Sequence, residues 1–272
     1  RDFSPAGDLQ GVTAGLDRIQ AAGADVLWLM PIYPVGVLNR KDPIGSPYSV
    51  RDYRAINPAF GTAADFRALV QAVHARGMKI ILDWVPNHTA WDNPWIQAHP
   101  DWYVRNARGE ISVPVDDKGK LTDWTAVAQL DYRKPALRQE MIATMRWWLE
   151  EYQIDGFRVD VAGFIPTDFW REAIRTLRAA AAPRSILMLA EWGAYAWHRA
   201  GFDLTYSWDS YSRLKAVWGG APASQFVQRE IGDLDSMPAG GMRLRFTTNH
   251  DETAWDNPPV IRFSGSAGAR AA

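Results

Sequence analysis

Hydrophobic positions along the chain switch between a helical period and short continuous apolar runs. Val12, Leu16 and Ile19 recur at helical spacing up to Gly23, and Val26, Leu27, Trp28, Leu29 and Met30 then form an unbroken apolar run closed by Pro31. A helix feeding a strand that lacks in/out alternation predicts a parallel strand covered on both faces. Past a Pro- and Gly-rich stretch at 31–61, Thr62 and Asp65 have the spacing of a capping box. The helix they open carries Phe66, Leu69, Val70 and Val73 and stops at Gly77, where a left-handed residue can end it. A strand follows at 79–84.

The same rhythm returns further on. Leu137, Met141, Met145, Trp148, Leu149 and Tyr152 predict a helix delivering the chain to a strand at Gly156. Thr167 is placed to cap a helix carrying Phe169, Ala173, Ile174 and Leu177, with a strand at 186–191 after it. A weaker strand at 201–209, helical segments at 214–218 and 226–231, and a last strand at 243–248 complete the pattern. Serial alternation without reversal favours an α/β fold of the (β/α)8 TIM-type barrel class over a doubly wound sheet. No Gly-rich phosphate loop follows a strand, which counts against nucleotide binding.

Residues 87–132 break the rhythm. They are rich in Trp, Asp, Asn and Pro, with turn signals at Asp92-Asn93-Pro94, Arg108-Gly109 and Lys118-Gly119. A connection of that length in a compact α/β domain reads as a functional excursion. The predicted organisation is therefore a barrel built from 1–86 and 133–272 with a short irregular domain, 87–132, inserted after the third strand.

Composition narrows the function classes. Of the 272 residues 47% are hydrophobic and 22% charged, ordinary for a globular domain, and the net charge of −1 provides no basic field for nucleic acid. No apolar run reaches the roughly 18 residues of a membrane span. The absence of cysteine excludes disulfides and thiolate chemistry but leaves the compartment open, and oligomeric state is not legible. Fourteen tryptophans are an excess. Most belong in the core, but aromatic planes also stack on the apolar faces of sugar rings.

The polar residues are placed at strand ends. In Gly156-Phe157-Arg158-Val159-Asp160, strand alternation puts Arg158 and Asp160 on one face, and charges there need compensation. Asp83, Asn87 and His88 sit at the end of the strand before, Glu191 at the end of the strand after, and Asn249-His250-Asp251 beyond the last. In a parallel barrel those ends open on one rim, where active sites of this fold lie. Each has an alternative taken singly: a structural ion pair for Arg158 and Asp160, a helix cap for Asp83 or Asp251, a solvated loop charge for Glu191.

Taken in order, Asp83-Trp84-Val85-Pro86-Asn87-His88, Gly156-Phe157-Arg158-Val159-Asp160, Glu191 and Phe246-Thr247-Thr248-Asn249-His250-Asp251 resemble the four signature regions of the alpha-amylase family of glycoside hydrolases. Ser46-Pro47-Tyr48-Ser49-Val50-Arg51-Asp52-Tyr53 resembles the segment supplying a sugar-stacking tyrosine, and Gln129-Leu130-Asp131 the accessory region that closes the excursion. The resemblance implies a retaining glycosidase cleaving α-glucosidic bonds, with α-glucans or maltooligosaccharides as substrate. It implies Asp160 as nucleophile, Glu191 as acid/base and Asp251 as a third carboxylate. It implies His88 and His250 on sugar hydroxyls, Tyr48 beneath a ring, and Asp83 and Arg158 holding the network. The residues agree chemically: Arg158 beside Asp160 should keep it charged, while Glu191, with no arginine in its local sequence and anions across the rim, should keep its proton.

Glycosyl transfer within the same family, and a catalytically silent carbohydrate-binding protein, are the alternatives. A metal-dependent hydrolase using Asp83, His88, His250 and Asp251 is a further one, disfavoured because Arg158 would repel a cation. No cofactor is required, and a structural calcium at Asn87 and Asp131 is optional. Two departures from the family pattern matter. Val161-Ala162-Gly163-Phe164 stands where many endo-acting members carry a Lys-His pair, which leaves product pattern open. The chain also begins where the family finishes its first strand and stops about twenty residues after Asp251. A barrel incomplete at both ends, unstable when expressed alone, is therefore expected.

Overall fold

The computed structural model describes residues 3–116 and 118–271. Their contacts divide into two compact units, one running to Glu191 and one starting at Trp192. The first unit opens with α1 (Leu9–Ala14) and α2 (Leu16–Ala21), then β1 (Val26–Leu29), α3 (Ala63–Ala75) and β2 (Lys79–Trp84). It continues through β3 (His88–Ala90), α4 (Trp95–Ala98) and β4 (Val127–Gln129) to α5 (Pro135–Glu151), β5 (Gly156–Val159), α6 (Thr167–Ala181) and β6 (Leu187–Ala190). Its sheet is parallel in the order β1-β2-β5-β6, each crossover made by a helix. The second unit comprises α7 (Ala196–Arg199), β7 (Leu204–Tyr206), α8 (Trp208–Trp218), α9 (Ser224–Ser236), β8 (Met242–Leu244) and α10 (His250–Trp255), followed by short helices at Pro259–Arg262 and Ser266–Ala271. Within it β7 and β8 pair in parallel.

Local chemistry explains the elements that frame the site. At the start of α3 the Thr62 hydroxyl accepts from the Asp65 N–H and the Asp65 carboxylate accepts from the Thr62 N–H, so the predicted capping box forms. Phe66, Leu69, Val70 and Val73 are all buried behind it, each worth roughly 1.5–3 kcal/mol of burial. The predicted face of α5 is buried as well. Trp148 packs edge-on against Phe66 and Tyr33, and donates its indole N–H to the Tyr53 carbonyl at 2.7 Å. Trp84, Trp148 and Trp170 are fully buried, which accounts for part of the tryptophan excess as core.

Several expectations are corrected. The first helix is two short ones broken at Gly15. Strand β1 is half-exposed and not covered on both faces, because within its unit it pairs with β2 alone. Thr167 is the first residue of α6 and makes no side-chain cap; Pro166 holds the cap position. The last strand is Met242–Leu244, shorter than the predicted 243–248.

The excursion is an ordered irregular layer. Strands β3 and β4 pair antiparallel, His88 opposite Gln129 and Ala90 opposite Val127. Single bridges tie Tyr103 to Leu130, Arg105 to Ile111 and Val115 to Leu121. Among the described residues no helix is long and apolar enough to cross a membrane.

Candidate active site

Strand register builds the centre of the first unit. Arg158 lies directly opposite Asp83 on β2, with Leu189 of β6 on its other side. The ladder runs on past the strand ends: the Asp160 N–H donates to the Trp84 carbonyl and the Glu191 N–H to the Val159 carbonyl, both at 2.9 Å. Three consecutive strands therefore present Asp83, Asp160 and Glu191 to one guanidinium. Arg158 Nη1 lies 3.0 Å from both Asp83 Oδ1 and Asp160 Oδ1, and its Nη2 lies 2.6 Å from Glu191 Oε1. Arg158 and Asp83 are wholly buried, whereas the Asp160 and Glu191 side chains remain 12% and 10% exposed. The guanidinium also stands over the Trp28 ring, 5.0 Å from its centroid.

Gly156 is what lets β5 approach β6. Its φ of +139° lies where side chains are disfavoured, and a Cβ there would fall 1.9 Å from the Leu187 carbonyl oxygen. Past the strand, Val161 adopts φ 37° and ψ 46°, left-handed backbone that costs a β-branched residue about 1–3 kcal/mol. The strained residue donates its N–H to Glu191 Oε2 at 2.9 Å. Glu191 is thus gripped by Arg158 through one oxygen and by the turn after Asp160 through the other.

The segment between β2 and β3 is buried, so its carbonyls need partners. Tyrosine hydroxyls supply them. Tyr33 donates to the Asp83 carbonyl, Tyr53 shares its one proton between those of Val85 and His88, and Tyr132 donates to that of Pro86, at 2.7–2.9 Å. Burial pushes all three phenols well above their usual pKa. Tyr48 donates to Asp83 Oδ2 at 3.1 Å. Asp83 itself is raised to about 6, first by burial, with Arg158 pulling the other way and Glu191 adding to the rise. Burial lowers His88 to about 4, so it is neutral at pH 7.

The second unit carries the remaining candidates. Asn249, not Asp251, caps α10, its side chain accepting from the Glu252 N–H at 2.8 Å. His250 and Asp251 form the first turn, with His250 Nε2 3.4 Å from Asp251 Oδ1. The Asp251 side chain is 42% exposed.

Residues 2–205 match the family model of the alpha-amylase catalytic domain. The chain belongs to the alpha-amylase family. It is 32% identical over 184 residues to an oligo-1,6-glucosidase of Halalkalibacterium halodurans, covering 58% of this chain and 32% of that protein. It is 28% identical to an alpha-1,4-glucan:maltose-1-phosphate maltosyltransferase of Rhodospirillum rubrum, covering 98% and 39%. A solved alpha-amylase from Lactobacillus plantarum superposes with a TM-score of 0.86 at 35% identity, covering 96% of this chain and 64% of that one. The chain thus spans about a third of the curated relatives' length, and its fold is the family's α/β barrel type.

Of the two candidate calcium ligands, Asn87 and Asp131, the carboxylate is already engaged. Arg133 takes both Asp131 oxygens, at 2.7 and 2.8 Å, and its hydrogen bonds hold the carboxyl below the usual range. Asn87 then offers one neutral oxygen where calcium wants six to eight. Among the described residues no three acidic or histidine side chains are grouped to hold an ion.

The unit up to Glu191 brings together six predicted site residues: Tyr48, Asp83, His88, Arg158, Asp160 and Glu191. One inference about them is corrected, since Glu191 does have an arginine partner, supplied by a neighbouring strand. Tyr33, Tyr53 and Tyr132 were missed as supports. Their only sequence signal is tyrosine where the core would accept phenylalanine, and that is weak.

Proposed function

We propose that the protein is a retaining glycoside hydrolase acting on α-linked glucose oligomers or polymers. The observation that carries this reading is the single buried guanidinium shared by Asp160 and Glu191. Asp160 attacks the anomeric carbon as the glycosidic C–O bond breaks, and Glu191 gives its proton to the leaving oxygen. Water then attacks the glycosyl ester, returning a proton to Glu191 and freeing Asp160. Two carboxylates on one guanidinium are compatible with the spacing of about 5–5.5 Å that a nucleophile requires. Three carboxylates facing one cation in a buried site favour keeping a proton among them, and that tendency competes with the Arg158 ion pair for Glu191. His88 binds a sugar hydroxyl, and Tyr48 stacks beneath the ring.

None of these steps needs calcium at Asn87 or Asp131. Glycosyl transfer is the second reading, favoured by the maltosyltransferase similarity over nearly the whole chain. Product analysis of the full-length protein on maltooligosaccharides, following anomeric configuration and transfer products, separates the two. The Asp160→Asn variant should lose at least about 10³-fold in kcat. Undiminished hydrolysis by that variant would sink the mechanism.

A further inference from the structure

Strand β1 reads Val26-Leu27-Trp28-Leu29 and brings no carboxylate to the cluster, yet one of its residues meets the cation at the cluster's centre. Strand register places that residue. Trp28 lies opposite Ile81 on β2, the pairing of Leu82 with Phe157 puts Ile81 beside Gly156 on β5, and Gly156 lies opposite Leu187 on β6. These four residues form one row across the sheet. Asp83, Arg158 and Leu189 form the row two residues further along, and strand alternation puts both rows on the same face. Gly156 adds no side chain to its row. The Trp28 ring reaches the guanidinium from there, its centroid 5.0 Å from Arg158 Cζ.

The carboxylates hold Arg158 only by the edge of its plane, with Nη1 between Asp83 and Asp160 and Nη2 on Glu191. A planar group gripped at its edge is still free to tilt. Its face is set by aromatic rings, and Trp28 is nearer than Tyr48, whose centroid stands 6.0 Å from Cζ at the outer limit of a cation–π contact.

We propose that Trp28 is a positioning residue for glycosidic cleavage that acts through Arg158. The assignment rests on the glycosidase reading above. The indole fixes the tilt at which one guanidinium reaches Asp160 and Glu191 together, and it keeps water from that side of the cation. Water there would raise the effective dielectric and weaken both ion pairs. Indole is the best of the aromatic faces for the task. One of the fourteen tryptophans thereby gains a role that an apolar strand does not advertise, since an aromatic in such a run reads as core.

The test is the pH dependence of maltotriose cleavage by the full-length protein, wild type against Trp28→Leu and Trp28→Phe. Trp28→Leu should lower kcat about 10-fold and leave KM within about 2-fold. A looser cation stabilises the carboxylates less, so they bind protons more readily. Both limbs of the kcat/KM profile, which reports the free enzyme, should therefore move up by about half a pH unit. Trp28→Phe keeps an aromatic face and should restore most of kcat together with the wild-type limbs. If the leucine variant alone fails to fold, Trp28→Met replaces it with the same expectations. Unmoved limbs in the leucine or methionine variant, or equal losses in it and the phenylalanine variant, would make Trp28 ordinary packing and overturn the assignment. Failure of every variant to fold would do the same. A wild-type protein that leaves maltotriose and longer maltooligosaccharides intact would overturn the glycosidase reading and the assignment with it.

Discussion

Arg158 and Arg243 are both buried arginines in the middle of short parallel strands, and they are satisfied in opposite ways. Arg158 faces three carboxylates at 2.6–3.0 Å, two of which keep some exposed surface. Arg243, across from Thr205 on β7, donates to the Thr205 hydroxyl at 2.9 Å and to the Gly193 carbonyl, and its nearest carboxylate is Asp233 at 3.6 Å. Asp233 is itself engaged by Arg229 and Tyr195, and its side chain is 1% exposed. A buried charge needs compensation in either case. Where neutral oxygens and a sealed carboxylate provide it, the result is a strut. Where several carboxylates gather at strand ends and two keep a small exposed area, it leaves oxygens within reach of a substrate.

Replacing each arginine by leucine tests that contrast. Arg158→Leu strands three carboxylates, so a stability loss of about 3–5 kcal/mol is expected, with kcat falling by at least about 10³-fold in whatever folds. Arg243→Leu strands one carboxylate that retains other partners, and about 1–3 kcal/mol is expected, with a much smaller change in kcat. Urea midpoints and turnover on the same preparations give both quantities. Equal losses of kcat would show Arg243 to be more than a strut.

Gly156→Ala probes the backbone beneath Arg158. The added methyl meets the Leu187 carbonyl and the φ is unfavourable, so β5 and β6 must separate. A loss of about 2–4 kcal/mol follows, with activity falling because Asp160 and Glu191 hang from those two strands. Gly77, at φ +73° with open space around it, is the control. Gly77→Ala should cost only about 1 kcal/mol of backbone strain and leave kcat intact.

What the sequence displayed was mostly local. The Thr62/Asp65 box and the apolar faces of α3 and α5 follow from spacing within one element, and Asp83, Asp160 and Glu191 are marked because each ends a strand. What it hid depends on neighbours. The bond from Arg158 to Glu191 exists only once β5 and β6 pair, so reasoning along one strand left Glu191 without a cation. The half-exposure of β1 is likewise a property of its partners. At the start of α10 the sequence alternative was Asp251 as cap, whereas Asn249 takes that position, and propensity alone separates the two poorly.

The finest test of the first region is its response to acid, where Asp83 and His88 act with opposite sign. Asp83 is raised from the carboxylate range to about 6, so its stabilising contribution is complete at low pH and is lost as pH rises through about 6. His88 is lowered to about 4, so its contribution is complete above the usual histidine value of about 6.5 and is lost as pH falls towards 4. Between pH 4 and 6 the two contributions change in opposite directions and offset one another. The wild-type protein should therefore show a shallow stability profile across that interval. His88→Gln leaves Asp83 unopposed, and urea midpoints should rise as pH drops from 6 to 4. Asp83→Asn leaves His88 unopposed, and the midpoints should fall over the same range. Parallel profiles for the two variants would mean that burial of this pair does not set the acid response, and that the carboxylates still facing Arg158 do.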